Sequence, residues 1–389
     1  HRVDRRQRQM CIRDRRINMA QLLIPAPAWV TISKDSKGDE LHGLSTEECL
    51  EKTGLANWNV RAETLTKVNQ YTIPEDLQNQ QVLVRDVVED GVLKSVQPIA
   101  YMGNAYTPVQ NEDLFEYGDI LLNSFEDAHW ETMGVVGAKV YGIMKLPNAN
   151  LKLDTNKGTV DEIDFYLTLA SSFDGSMPVI SFISPLRLAC SNQLLFAVGN
   201  AEHSFKSKHT LLINNRIEKS KESIKEFDKY IKFIELVGND LMSKPCDSEQ
   251  FEEIYRELYP QPIVQTDIDA QTVQKYGAMG FTKWNNNYKT AIAIFEGKLA
   301  QDKQRTVVTD SFEEKPIGST VSEIEGTMWS ALNSLTEHLD WFANKSKKDW
   351  KKNLENQMFS SQRQVKRTNI AKSVLDYAQV DSELISMLK

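Results

Sequence analysis

The sequence predicts an α+β fold in which antiparallel β-hairpins packed with helices are followed by a mainly helical C-terminal region. Three observations predict it. Segments that alternate apolar and polar residues cluster in the first half of the chain, separated by turn residues. The clearest pair, IDFYLTLASSF and PVISFISPLRL, flanks Asp174-Gly175-Ser176, where Asp-Gly supplies the positive φ of a tight reversal. In the second half the apolar residues recur at helical spacing instead, as in GTMWSALNSLTEHLDWF.

Each element follows from local signals. Residues 45–56 predict a short helix, capped by Ser45 or Thr46, with Glu47 and Glu48 in its first turn and Gly54 at its end. Trp58, Val60 and Leu65 suggest extended chain, and residues 82–88 and 93–101 a hairpin around Glu89-Asp90-Gly91. Residues 110–126 predict an amphipathic helix whose apolar side is Leu114, Phe115, Ile120, Leu121, Leu122 and Phe125. Strands follow at 130–137 and 138–147, with glycines 134, 137 and 142 permitting bends or close backbone approach. After the Asp-Gly hairpin, residues 191–198 predict a helix closing at Gly199. Residues 206–243 predict a long polar helix with Ile213, Ile217, Ile224, Phe227, Ile231 and Ile234 as its buried stripe. Residues 245–320 mix short helices with loops, and Thr306 to Thr320 suggests an exposed, mobile connection. Met328, Leu332, Leu335, Leu339 and Phe342 lie at helical spacing in the last strong helix, 326–342. The domain organisation expected is a leader at 1–18, an α+β core at 19–205, a mainly helical part at 206–344 and a basic helical tail at 345–389.

Composition excludes several classes. The chain has 389 residues, 41% of them hydrophobic, with a mean hydropathy of -0.44, and no apolar run long enough for a spanning helix. Four cysteines (11, 49, 190, 246) are too few and too scattered for a disulfide scaffold and fit a reducing, cytoplasmic setting. A net charge of -8 argues against coating duplex DNA by bulk charge. That charge is uneven. Residues 1–16 hold seven arginines and two aspartates, a surplus of +5 that leaves the rest at -13. This run lacks apolar periodicity and is expected to be a non-native leader with Met19 as the start, the rival being a basic nucleic-acid-binding arm. The tail from 345 carries ten basic and five acidic residues, among them Lys347, Lys348, Lys351, Lys352, Arg363, Lys366 and Arg367, with Trp350 and Phe359 interleaved. It is either a solvated helix face or a footprint for phosphates with aromatics to stack on bases.

No phosphate loop, strand-anchored GxGxxG or GxSxG elbow is present. The six histidines show no HExxH and the cysteines no CxxC, so neither a metal nor a cofactor is expected. Cys190 follows Leu186 and Leu188 and is expected to be a buried thiol rather than a nucleophile paired with His209. Lys206, Lys208 and His209 in KSKHT are candidates for holding a phosphate at a helix start. Arg187, with Asn192 nearby, is a candidate for phosphate or base contact from the opposite strand face to Leu186. Glu112, Asp113, Glu116 and Asp119 form an acidic helix face, expected to be solvated rather than catalytic.

Several motifs occur in one order: ELHGLS, GLANWNV, AYTPVQNEDLFEYGD, ETMGVVGAKVYGIMKLP, SSFDGSMPVISFISPLRLACSNQLLFA, KHT and GTMWSALNSLTEHLDW. Over roughly residues 40–342 the chain resembles the phage- and plasmid-related family known as domain of unknown function 932. The resemblance picks out Tyr106, Asn111, Gly134, Asp174, Gly175, Arg187, Cys190, Asn192, His209 and Thr210 as motif positions. Structural roles expected for some are a turn at Asp174-Gly175, a strand bend at Gly134 and a helix cap at Asn111. Two positions depart from the pattern: Leu41 stands where the family has Trp, and Phe173 where it has His. The resemblance implies a mobile-element setting in a bacterial host and no known reaction. With the basic tail, it leads to the expectation of a non-enzymatic protein that binds or anneals single-stranded DNA. The alternative is a protein-interaction factor, such as a host-defence antagonist or replication accessory, with a host or phage protein as partner. No membrane is expected, and an oligomer is compatible with either.

Overall fold

The computed structural model of the protein describes residues 41, 43–64, 67–68, 71–72, 80–89, 91–155, 158, 160–187, 192–193, 204–207, 227–262, 278–299, 305–308, 314–317, 324–343, 360–381 and 384. In order these form α1 (Thr46–Thr53), β1 (Arg61–Thr64), β2 (Lys67–Val68), β3 (Tyr71–Thr72), β4 (Gln80–Glu89), β5 (Val92–Gly103), α2 (Asn111–Leu122), β6 (His129–Val136), β7 (Lys139–Asp154), β8 (Val160–Ser172), β9 (Val179–Arg187), β10 (Asn192–Gln193) and β11 (Ser204–Ser207). Then come α3 (Phe227–Ser243), α4 (Ser248–Leu258), α5 (Ala278–Phe295), β12 (Arg305–Val308), β13 (Glu314–Ile317), α6 (Met328–Glu337), a π-helical turn (His338–Phe342) and α7 (Ser361–Tyr377). The fold is α+β, as the hydropathy pattern predicts: strands occupy the N-terminal half and most helices the C-terminal half.

Two antiparallel sheets dominate. The larger runs β10-β9-β8-β7-β6, with β11 also on β9; the smaller runs β1-β4-β5. The Asp174-Gly175 turn joins β8 to β9, with Gly175 at φ +68° and Ser176 N donating to Asp174 Oδ1 at 3.0 Å. The six residues between these strands make a wider reversal than a two-residue hairpin. Packed against β6 and α2, α1 ends at Gly54 in the left-handed region and begins in a capping box between Ser45 and Glu48.

A tryptophan slot joins α1, α2 and the large sheet. The Trp130 indole packs edge-on to Phe115, ring centroids 5.4 Å apart, and its Nε1 donates to Thr46 Oγ1 at 2.7 Å. Thr46 in turn donates to Asp119. The slot exists because two neighbours lack side chains. A Cβ on Gly118 would lie 2.6 Å from the indole, and one on Gly142 2.5 Å from Phe115 and 2.7 Å from the indole. The glycines therefore serve close approach rather than bending. Gly134 is similar: it pairs with Tyr141 inside an unbroken stretch of ladder, and its missing Cβ makes room for the Tyr141 hydroxyl.

The helical half docks onto this sheet through a buried polar contact as well as apolar packing. Trp329 Nε1 of α6 donates to Asp161 Oδ2 of β8 at 2.7 Å, and both residues are buried. Every residue of α6 is buried, so the helix is wrapped on all sides rather than amphipathic. The helix predicted at 326–342 changes pitch at His338, where Ala343 N donates to His338 O at 2.7 Å across a π-turn. Asp340 in that turn receives Arg367 of α7 at 2.7 and 3.1 Å; the guanidinium is 1% exposed. Arg363, one turn earlier, donates to the end-of-helix carbonyls of Leu339 and Ala343.

Three elements differ from the sequence expectation. Asn192 and Gln193 form a strand on β9 instead of starting a helix at 191–198. Residues 204–207 are likewise a strand on β9, so the helix expected from 206 cannot begin there; of that stretch, α3 is described, with Ile234 buried and Ile231 half-buried. In both cases the open edge of β9 offers backbone partners that local periodicity does not register. Arg305–Val308 and Glu314–Ile317 pair as a hairpin within the expected mobile connection. Ile213, Ile217, Ile224 and residues 1–18 lie outside the described residues.

Two substitutions test this packing. Gly142→Ala is expected to lower unfolding free energy by about 1–3 kcal/mol through overpacking against Trp130 and Phe115, measured by urea denaturation. Asp340→Asn is expected to cost about 3–5 kcal/mol by leaving the Arg367 charge buried without its partner, and Asp340→Leu combined with Arg367→Met to recover most of that loss.

Candidate functional site

Several family-motif residues among those described stitch distant segments together. Gln110 exchanges two hydrogen bonds with the Val60 backbone, at 2.9 and 2.7 Å, in the manner of a strand partner. Tyr106 OH donates to Ser172 O at 2.6 Å. Asn111 is not the helix cap: Gln110 holds that position, while Asn111 is the first helical residue, buried, and donates to Leu55 O at 2.8 Å. The acidic face of α2 is partly used in the same way, Glu112 accepting from Asn57 N at 2.7 Å and Asp119 from Thr46. The two departures from the pattern fall on core positions. Leu41 is buried, and Phe173 is buried against Trp58 with ring centroids 5.8 Å apart.

Of the expected nucleic-acid contacts, the structure describes the backbone of Arg187, Asn192 and Lys206 and the side chains of Arg363, Lys366 and Arg367. Arg187 ends β9, paired with Ile163 of β8 and with Asn192 of β10, so the backbone does bring Arg187 and Asn192 side by side. Lys206 faces Ile180, at the other end of β9, roughly 20 Å away at about 3.3 Å per residue. The side chains of these three residues lie outside the described set, as do Cys190, Lys208, His209, Thr210, Lys347, Lys348, Lys351 and Lys352. In the tail, Arg367 and Arg363 are not phosphate contacts: both guanidiniums turn inward, one to Asp340 and one to helix-end carbonyls. Lys366 is exposed. Cys49 and Cys246 are buried, and burial pushes their thiols up to about 11 and about 12, so neither is a thiolate at neutral pH. Among the described residues no group of three or more His, Cys, Asp or Glu is placed to hold a metal, and no helix is long and apolar enough to cross a membrane.

What the structure assembles instead is an aromatic platform on α4 and α5. Phe281, Trp284 and Tyr288 stand at i, i+3 and i+7 of α5, a spacing that puts them in one stripe. Trp284 and Tyr288 stack with centroids 5.7 Å apart and planes 12° apart; Phe281 and Trp284 follow at 6.4 Å and 28°. Tyr255 of α4 lies beneath, edge-on to Trp284 at 5.9 Å and 5.3 Å from Tyr288. Trp284 Nε1 donates to Tyr259 O at 2.6 Å, which fixes the indole plane. Phe281 is 41% exposed, and Trp284 and Tyr288 are half-buried, so the stripe forms the rim between core and solvent.

Charge around the platform favours an anion on one side. α5 holds Lys283 and Lys289, three asparagines and no carboxylate. By helical spacing Asn285 and Lys289 border the stripe on its solvent side. Arg256 of α4 lies over the Trp284 ring at 5.2 Å, donates to Gln261 Oε1 at 2.9 Å and pairs with Glu252 at 2.6 Å. Glu252 also receives the Tyr288 hydroxyl at 2.7 Å; these two bonds hold the carboxyl below its usual range. Burial, then that bond, raises the Tyr288 hydroxyl to about 12, so it remains a donor. One sequence signal was available for this platform: three aromatics at i, i+3 and i+7 in an 18-residue stretch with no acidic residue.

His338, at the start of the π-turn, backs this platform from inside, its ring 6.4 Å from Tyr255. It is buried, and among the described residues neither ring nitrogen has a hydrogen-bond partner. Burial pushes its pKa down to about 4 from 6.5. The folded protein therefore holds His338 neutral while the unfolded chain protonates it. Its stability contribution is complete above pH 6.5 and falls as pH drops from 6.5 through 4, by on the order of 3 kcal/mol in all. Urea denaturation across this range is expected to show that slope, and His338→Leu to flatten it.

No curated protein and no solved structure matches the chain. The sequence profile described as "Domain of unknown function (DUF932)" matches residues 98–373, more than two-thirds of the chain, from within β5 to within α7. The matched span takes in the large sheet, the aromatic platform and the Asp340–Arg367 lock, and the chain belongs to the DUF932 family.

Proposed function

We propose that the protein is a non-enzymatic, DNA-associated component of a phage- or plasmid-type mobile element, and that it binds single-stranded DNA in the cytoplasm of a bacterial host. The observation that carries this reading is the half-exposed Phe281–Trp284–Tyr288 stripe on a helix with lysines and no carboxylates. Unpaired bases stack on such rims, whereas a duplex keeps its base faces covered. Arg256, already over the indole, is within reach of a phosphate once it leaves Glu252. Binding of this kind is local. It does not draw on the net charge of the chain, which is -8. Annealing of complementary strands follows if bound bases keep their pairing edges free while one face stacks.

Fluorescence anisotropy with labelled single-stranded and duplex oligonucleotides, titrated with salt, tests the reading. Single strands are expected to bind preferentially. Phe281→Ala is expected to weaken binding about tenfold, the loss of one base-stacking contact. Lys283→Gln with Lys289→Gln is expected to reduce the salt slope by about one for each phosphate contact removed. Equal affinity for duplex, or binding unchanged by Phe281→Ala, would overturn it, as would no binding at low salt.

A further inference from the structure

Arg256 lies at the edge of the aromatic platform with all three of its nitrogens engaged. Nε and Nη2 both reach Glu252 Oε1, at 2.7 and 2.6 Å, and Nη1 donates to Gln261 Oε1 at 2.9 Å. The other carboxylate oxygen, Glu252 Oε2, accepts the Tyr288 hydroxyl at 2.7 Å. One acidic side chain therefore holds a donor from each of the two helices that build the platform. The same bonds keep its carboxyl below the usual range, so it is charged at neutral pH.

Three features make this carboxylate a stand-in for a phosphate. It occupies the Nε–Nη2 edge, one of the edges by which an arginine fork grips phosphate oxygens. The guanidinium has two further contacts, the Trp284 ring at 5.2 Å and Gln261, which keep it over the stripe when the carboxylate leaves. The pair also lies at the surface. The Arg256 side chain is 46% exposed and that of Glu252 35%, so the two part without unfolding α4. At such exposure an ion pair four residues apart on a helix biases the equilibrium by no more than about fivefold. A base stacking on the exposed Phe281 ring offsets a bias of that size. A duplex, whose base faces are covered, has no such gain to set against it.

We propose that Glu252 is an internal competitor for the phosphate of a bound single strand. The Glu252–Arg256 contact and the phosphate–Arg256 contact exclude one another, so this carboxylate sets how tightly the platform holds a strand. The inference rests on the single-strand reading of the platform and names the residue that regulates it.

Anisotropy titrations of the full chain with a labelled single-stranded oligonucleotide at near-physiological salt test it. The parent is compared with Glu252→Gln, with Glu249→Gln, and with Glu252→Gln combined with Arg256→Gln. Glu249 is exposed on the same helix, two turns before Arg256, and its variant removes the same charge. Glu252→Gln is expected to tighten binding about fivefold, and Glu249→Gln to leave it within about twofold. Adding Arg256→Gln is expected to cancel the gain. None of the three positions is buried, so thermal midpoints close to the parent's are expected. A parent that binds, with Glu252→Gln no tighter than Glu249→Gln, would overturn the competitor role and leave the single-strand reading standing. A gain that survives Arg256→Gln would overturn it too, since the carboxylate then acts by charge alone. Absence of binding by both the parent and Glu252→Gln at low salt would overturn the single-strand reading, and the competitor with it.

Discussion

The pairing of Arg367 with Asp340 is the constraint on which the helical half depends. Two charges are removed from water there, and each meets the other at hydrogen-bond distance, which offsets the cost. The geometry needs the π-turn, which widens the helix where Asp340 must reach α7. It also needs Arg363, whose guanidinium takes up the carbonyls that the end of the π-turn leaves open. With α7 fixed in this way, α4 is held between α7 and α5, and the aromatic platform has a rigid floor.

The same lock changes what the C-terminal basic residues do. Counted as charges they form an electrostatic surplus, yet the donors of the two arginines that α7 turns inward are spent on Asp340 and on helix-end carbonyls. Among the described cations that face solvent, Lys289 of α5 borders the aromatic stripe, on a helix that carries no carboxylate. Position relative to a low-dielectric interior, more than number of charges, decides which cations are available to a partner.

The motif positions illustrate a related point. Tyr106, Gln110 and Asn111 spend their polar atoms on the backbone of distant segments, and Gly118, Gly134 and Gly142 spend their missing side chains on aromatic neighbours. Such residues are demanding because a backbone carbonyl or an indole edge at a fixed place admits few alternatives. These described motif residues account for part of the shape of the fold.

The sequence by itself determined the class of fold, the Asp-Gly reversal between β8 and β9, the hairpin of β4 and β5, the capped α1 and the apolar spine of α6. Alternation, helical spacing and turn chemistry are local, so a linear reading reaches them. It did not reach the strands at 192–193 and 204–207, whose pairing on β9 depends on an edge made by residues earlier in the chain. Nor did it reach the inward turn of Arg363 and Arg367. The aromatics of α5 were visible as a spacing, but only packing decided that Trp284 and Tyr288 would lie at the rim over Tyr255 instead of inside. Burial and partner choice are properties of segments far apart in the chain, and tertiary contact alone sets them.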